Sequence, residues 1–155
     1  MTKPTQNLVI IGWREWVRLP NLNVGSIKAK IDTGARTSSL HAFNVERFRQ
    51  TGKDFVRFEV HPLQRSGKGA IRVEMELADC RLVKSSSGHQ NERPVILTPV
   101  ELMGQTWEIE LTLANRDEMG FRMLLGRQAI RHRFLVDSGQ SYCDSSHKPR
   151  RGKRI

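Results

Sequence analysis

What this chain lacks already removes several function classes. None of its 155 residues form a run of eighteen apolar positions, so no membrane-spanning helix is expected. Met1 to Asn7 is polar and leads directly into Leu8-Val9-Ile10-Ile11, which is too short for the apolar core of a signal peptide. Cysteine is nearly absent. Cys80 and Cys143 cannot build a disulfide framework, and a reducing, cytoplasmic setting is the simplest expectation. The five histidines, His41, His61, His89, His132 and His147, never fall as a His-x-x-x-His pair, and no Cys-x-x-Cys occurs. A helical zinc site needs that spacing, so no metal is expected. Gly52-Lys53 and Gly67-Lys68 lack the upstream glycine and the following hydroxyl of a phosphate loop, so no nucleotide or other cofactor is expected. No internal repeat of useful length is present.

Positive charge is what the chain has in excess. Lys and Arg number 26 against 16 Asp and Glu, a formal net charge of +10. Five of the seven residues from Lys148 to Arg154 are basic, and this stretch has no apolar period. The reading is a single domain over residues 1–143 and a basic tail over 144–155 that cannot bury enough apolar surface to order itself. Such a tail is either a solvated terminus or an electrostatic tether to RNA or the ribosome. It carries no aromatic residue for base stacking.

The periodicity predicts an all-β chain. Ala70 to Leu77 alternates Ile71, Val73, Met75 and Leu77 with Arg72, Glu74 and Glu76, the period of a half-buried strand. Leu8–Ile11, Trp13–Leu19, Ile27–Ile31, Ser39–Val45 and Asp54–His61 read as further strands. Pro94–Leu102 and Thr106–Leu113 read as two more, joined at Met103-Gly104-Gln105. Val45–Gln50 reads as one helical turn, Gly126–Phe134 as a short helix, and Phe134–Val136 as a closing strand. Many short strands with glycine and serine turns favour a closed or folded-over β architecture.

Two elements carry chemistry. Asp32-Thr33-Gly34-Ala35 follows the strand Ile27–Ile31. Glycine lets the backbone bend beneath the carboxylate, and such a carboxyl can share a proton with a second one close by. About ninety residues later, Met123-Leu124-Leu125-Gly126-Arg127 ends an apolar strand at glycine. Together they resemble the retropepsin family of aspartic proteases. More narrowly, the chain resembles the bacterial retropepsin-like endopeptidases found beside RimK-type glutamate ligases. The matching stretches are Lys28–His41, Val83–Ile96 and Thr112–Arg127, within roughly Leu8–Val136. Some proteins of that family carry the label ATP-dependent zinc protease, which the residues above do not support.

The resemblance implies a single-lobe retropepsin-like β barrel with one short C-terminal helix. It also implies an aspartic endopeptidase in which Asp32 from each chain of a homodimer activates a water. Thr33 would lock the turn between chains, and Gly34 and Ala35 would offer backbone groups to substrate. Gly126 and Arg127 would support the site. A mobile hairpin would cover the cleft, its tip at Ser85, Ser86, Ser87, Gly88, His89 and Gln90, with Gln64–Gly69 as the alternative. The family pattern has an acid after Asp-Thr-Gly-Ala that pairs with the arginine of the Gly-Arg element. Here Arg36 stands there, so Arg127 needs another acid: Asp117, Glu118 or Asp137. Arg36 either pairs with a structural acid or binds an acidic substrate such as a glutamate tail, with Lys28, Lys30, Lys84 and Arg93 adding to the field. A second Asp-Ser-Gly, Asp137-Ser138-Gly139, lies 105 residues after Asp32. No apolar-apolar-Gly element follows it, and it reads as a strand-end turn. The competing classes are a non-catalytic module holding acidic tails or RNA, and a purely structural domain.

Overall fold

A computed structural model of the chain describes residues 8–63, 69–84, 88, 90–115 and 120–146, with the side chains of 83 and 84 left aside. Eleven strands and one short helix account for the fold: β1 Val9–Gly12, β2 Arg14–Leu19, β3 Val24–Asp32, β4 Ser38–Gln50, β5 Lys53–Val60, β6 Ile71–Glu76, β7 Asp79–Lys84, β8 Gln90–Leu102, β9 Gln105–Ala114, β10 Met123–Gly126, α1 Arg127–Ile130 and β11 Phe134–Asp137. The strand order is β10-β3-β2-β8-β9-β4-β5-β6, and β10 also pairs with β4. That extra pairing closes β10, β3, β2, β8, β9 and β4 into a barrel, which removes free edges. β5 and β6 extend the sheet from β4, and β7 pairs with β8.

Alternation builds the barrel wall. In β3, Val24, Ile27, Ala29 and Ile31 are buried, while Lys28 and Lys30 sit on the other face. β10 reads Met-Leu-Leu-Gly and is buried at every position. It runs parallel to β3 and antiparallel to β4, and a strand covered on both faces needs a continuous apolar run. The core includes Leu40, Phe58, Ile96, Leu111 and Leu125. Burying each such side chain stabilises the fold by roughly 1.5–3 kcal/mol before chain entropy is counted.

Two expectations change. Val45–Gln50 is strand, not a helical turn. The ladder with β5 runs from Glu46↔Arg57 to Gln50↔Lys53, and those cross-strand bonds override a weak local helical preference. A bulge at Asn44, with φ of 53°, re-aims β4 as it leaves the barrel. The run from Trp13 to Leu19 alternates large and charged residues as a half-buried strand does, which puts its charges outside. Instead Glu15, Val17 and Leu19 are fully buried and Trp16 is half-buried.

Two short apolar strands, β1 and β11, meet in a separate two-stranded parallel sheet. Beyond it the chain from Asp137 onward crosses back over β2. Glu15 holds this strap. Its Oε2 accepts from Gly12 N at 2.7 Å and Cys143 N at 2.9 Å, and its Oε1 accepts from Asp144 N at 3.0 Å. Asp144 is itself buried and accepts from Met103 N. Tyr142 stacks on Trp16, and the Arg14 guanidinium lies against the rings of both Trp13 and Tyr142. Cys80 and Cys143 are free thiols. Among the described residues no helix is long and apolar enough to cross a membrane.

Candidate active site

β3 delivers Asp32 to the end of its strand, where the chain must turn. The Asp32 side chain makes that turn: Oδ1 accepts from Gly34 N at 2.9 Å and Ala35 N at 3.1 Å. Ala35 N also approaches the Asp32 carbonyl at 3.3 Å. The second carboxylate oxygen has no partner among the described residues, and Asp32 is half-exposed. A carboxyl pinned through one oxygen and open through the other suits proton transfer to a bound water.

β10 supports this turn from the neighbouring strand. Gly126 is the register partner of Asp32. Arg127 N donates to Ala35 O at 2.6 Å, and Gln128 N donates to Arg36 O at 3.1 Å. Gly126 N donates to the buried Ser38 Oγ at 3.0 Å. A Cβ on Gly126 would fall 2.9 Å from Ala35 O and 2.5 Å from the Thr37 carbonyl carbon. Only glycine admits so close a backbone.

Arg127 was expected to need an acid. Its Nη1 donates instead to the Thr33 carbonyl oxygen at 3.2 Å, and among the described residues no acid reaches it. Asp137 is engaged elsewhere, and Asp117 and Glu118 lie outside the described residues. Arg127 therefore braces the turn through its backbone. Thr33, Gly34 and Arg36 are exposed, Ala35 half-buried. The Arg36 side chain is exposed and makes no ion pair among the described residues. Lys28 and Lys30 lie on β3 upstream of Asp32, and Arg93 lies on β8.

The Asp137 turn repeats much of the Asp32 turn. Gly139 N donates to Asp137 Oδ1 at 2.9 Å, and Gln140 N to Asp137 O at 3.1 Å. Gly12 is the register partner of Asp137, as Gly126 is of Asp32. Trp13 N donates to Gln140 O at 2.9 Å, matching Arg127 N to Ala35 O. A Cβ on Gly12 would fall 2.6 Å from the Gln140 carbonyl carbon. The turns differ in the amides on Oδ1, where only Asp32 accepts a second one, and in what covers Oδ2. Gln140 Nε2 donates to Asp137 Oδ2 at 3.1 Å, so the oxygen that is open in Asp32 is covered in Asp137. Gly12 and Gln140 were missed from sequence. The signal was present, because Ile10-Ile11-Gly12 repeats Leu124-Leu125-Gly126 but precedes its Asp turn in the chain instead of following it. The copies adjoin: Ile31 N donates to Trp13 O at 2.8 Å.

Of the hairpin-tip residues, Ser85, Ser86, Ser87 and His89 lie outside the described residues. Gly88, exposed with φ of 87°, and Gln90, the first residue of β8, are described and belong to the β7–β8 connection. Of the alternative tip only Gly69 is described. Among the described residues no three His, Cys, Asp or Glu side chains converge as metal ligands would.

A closed single-lobe barrel with one open Asp-Thr-Gly turn, braced by a parallel Gly-Arg strand, defines the retropepsin-like class. The profile of the RimB-like family, described as retropepsin-like aspartic endopeptidase RimB, matches residues 10–147, and the chain belongs to that family. It is 49% identical over 139 residues to a probable alpha-L-glutamate ligase of Shewanella pealeana, covering 90% of this chain and 30% of that protein. It is 48% identical over 128 residues to a protein of the same name from Desulfotalea psychrophila, covering 83% of this chain and 28% of that one. The chain thus spans less than a third of the length of these relatives. A solved structure of a Legionella pneumophila protein of unknown function (DUF785) superposes with a TM-score of 0.71 at 31% identity, over 87% of this chain and 97% of that one.

Proposed function

We propose that the protein is an aspartic endopeptidase that works as a homodimer, with one Asp32 from each chain, on acidic or glutamate-modified protein tails. The observation that carries this reading is the Asp32 carboxyl itself, pinned by Gly34 and Ala35 through Oδ1 and open through Oδ2. The second such turn in the chain is capped by Gln140, so each chain supplies one open carboxyl. A two-fold axis brings a residue against its own copy. The two carboxyls then share one proton, because like charges that close do not both ionise.

The ionised Asp32 takes a proton from the water between the two chains as the water oxygen attacks the peptide carbonyl carbon. The protonated Asp32 donates to the carbonyl oxygen. The tetrahedral intermediate then collapses, the C–N bond breaks, and the leaving nitrogen receives a proton. Gly34 and Ala35 would present backbone groups to the substrate chain, and the β7–β8 connection would cover it.

Two further features support parts of this reading. Ile10 and Leu135 are register partners in the two-stranded β1–β11 sheet, yet they are 51% and 43% exposed. Parallel strands are normally covered on both faces, and a second copy would cover this one. Arg36, four residues after Asp32, is exposed and makes no ion pair among the described residues, and guanidinium binds carboxylates through paired hydrogen bonds. The names of the relatives also point to glutamate as the chemistry near this domain.

That the matching stretch recurs inside proteins named as glutamate ligases favours a second reading, a non-catalytic module that holds acidic tails or RNA. One experiment separates the two. Glutamate-rich peptides are incubated with the native protein and with Asp32→Asn across a range of protein concentrations, and products are read by mass spectrometry. Cleavage by the native protein alone, with a rate per chain that rises with concentration, is the expected result. Equal cleavage by Asp32→Asn, or a constant rate per chain far below the dimer dissociation constant, would overturn the half-site mechanism. Peptide binding by both proteins without cleavage by either would establish the binding module.

A further inference from the structure

A pocket of about 280 Å³ opens between β9 and α1. Its walls include Thr37, Trp107, Glu108, Glu110, Gln128 and Arg131. We propose that this pocket binds a free α-amino acid, with Glu108 taking the ammonium group and Arg131 the carboxylate.

The pocket combines opposite charges that do not meet. Glu108 and Arg131 are both exposed, and neither makes an ion pair or side-chain hydrogen bond among the described residues. Charges nearby on the same sheet behave differently. Arg81 forks onto both oxygens of Glu110 at 2.8 and 2.7 Å, and Arg18 meets Glu101 at 2.6 Å. An unpaired carboxylate and an unpaired guanidinium that share one cavity complement a zwitterion. Charge-assisted hydrogen bonds to each end are the strong kind.

The remaining walls mix the apolar Ile109 and Ala129 with polar groups. The Trp107 indole N–H is buried and finds no acceptor among the described residues. Its nitrogen has almost no accessible surface, so it lies behind the pocket wall and is not a contact for the ligand. The Thr37 hydroxyl and the Gln128 carboxamide also have no side-chain partners among the described residues. The volume falls just below the range of about 300–1,000 Å³ typical of drug-sized ligands. That is room for one amino acid and too little for a folded peptide segment.

Occupancy would reach the catalytic turn by bonds already described. Gln128 N donates to Arg36 O, and Ser38, beside Thr37, accepts from Gly126 N. An amino acid seated on Thr37 and Gln128 therefore biases the backbone that positions Asp32. Binding itself does not depend on the peptidase reading, and it is measured without turnover.

The test begins with thermal melts of the full chain against each of the twenty common L-amino acids at about 10 mM, enough to reveal a millimolar site. The strongest binder is then titrated by calorimetry beside its N-acetyl and its amide derivatives. In the native protein each derivative should bind about tenfold more weakly or worse, since each removes one charged contact. Glu108→Gln should bind the free and N-acetylated forms alike, and Arg131→Gln should bind the free and amide forms alike. Both side chains are exposed, and an unchanged circular dichroism spectrum confirms that each variant is folded. Absence of saturable binding by every amino acid overturns the proposal. So does binding that neither substitution weakens, or derivatives that bind as well as the parent.

Discussion

Gly126 and Gly12 allow the same steric insult to be delivered to two copies of one turn. In Gly126→Ala the new methyl would lie 2.5 Å from the Thr37 carbonyl carbon and 2.9 Å from Ala35 O. In Gly12→Ala it would lie 2.6 Å from the Gln140 carbonyl carbon and 2.9 Å from Ser141 Cα. Non-bonded carbons settle at about 3.5–4.0 Å. Each substitution therefore pushes its turn back by about 1 Å, and overpacking of this kind costs about 1–3 kcal/mol, occasionally more. The two should lower the urea midpoint to a similar degree. Activity should separate them. The segment displaced in Gly126→Ala is 35–37, directly after Asp32, and a misplacement of about 1 Å costs on the order of 100-fold in rate. The segment displaced in Gly12→Ala carries Asp137, whose carboxyl is already capped. Its effect on Asp32 passes through β2, by the Trp13–Ile31 hydrogen bond and the Arg14–Lys30 pairing, so its loss should stay well under tenfold by the same reasoning. The assay is kcat/KM on a glutamate-rich peptide, at a temperature where both variants are folded and at a concentration where both are dimeric. Equal activity losses at equal stability, or the larger loss in Gly12→Ala, would refute the assignment of Asp32 as the reacting carboxyl.

Arg36→Ala should lower kcat/KM for a glutamate-rich peptide by about tenfold or somewhat more, as expected for a charge-assisted contact of roughly 1.5–3 kcal/mol, while a glutamine counterpart loses little. Equal losses for the two peptides would make Arg36 structural. Glu15→Gln keeps an acceptor for two of the three amides that Glu15 holds and turns an NH₂ toward the third, so unfolding free energy should drop by about 1–3 kcal/mol in urea titrations. An unchanged midpoint would mean that the strap does not depend on Glu15. Burial pushes both thiols up from the ordinary 9.0, reinforced by Glu92 at Cys80 and by Glu15 at Cys143. Only the thiolate reacts, so the pH midpoint of iodoacetamide labelling should lie above 9.0 for both in the folded protein and fall on unfolding. Midpoints at or below that of the unfolded chain would contradict these environments.

Much of the fold was legible because it is written at short range. The alternation from Ala70 to Leu77 yields β6, and the all-apolar Met123–Leu125 yields a strand covered on both faces. The turn at Met103-Gly104 joins β8 to β9 with φ of 53° and 74° at those two residues, as a tight hairpin requires. Asp32 and Gly34 were readable for the same reason, because the turn they make is local; Gly126 and Arg127 were readable as a strand end, while their bonds to Thr33, Ala35 and Ser38 span the chain. Other features gave no local signal. Val45–Gln50 has a helical look that the β5 ladder overrules. β7 was not foreseen, since its pairing with β8 is what makes it a strand. A glutamate inside an alternating run reads as solvent-facing, yet Glu15 is fully buried, because the three amides that need it include two from the strap more than a hundred residues away.

The sequence by itself determined the class of fold and the identity of the carboxyl turn, since strand period and turn chemistry are local properties of a few adjacent residues. Tertiary structure alone decided which of two matching Asp turns is open. Both have the acid, the hydroxyl and the glycine, and both have a glycine strand beside them. The distinction rests on one side chain, Gln140, folding back onto Asp137 Oδ2, while Ala35 leaves the same oxygen of Asp32 bare. It rests also on closure of the barrel by β10 between β3 and β4, which brings Gly126 beside a turn about ninety residues earlier in the chain. Such a contact depends on register between distant strands, and register is set by the whole packed sheet.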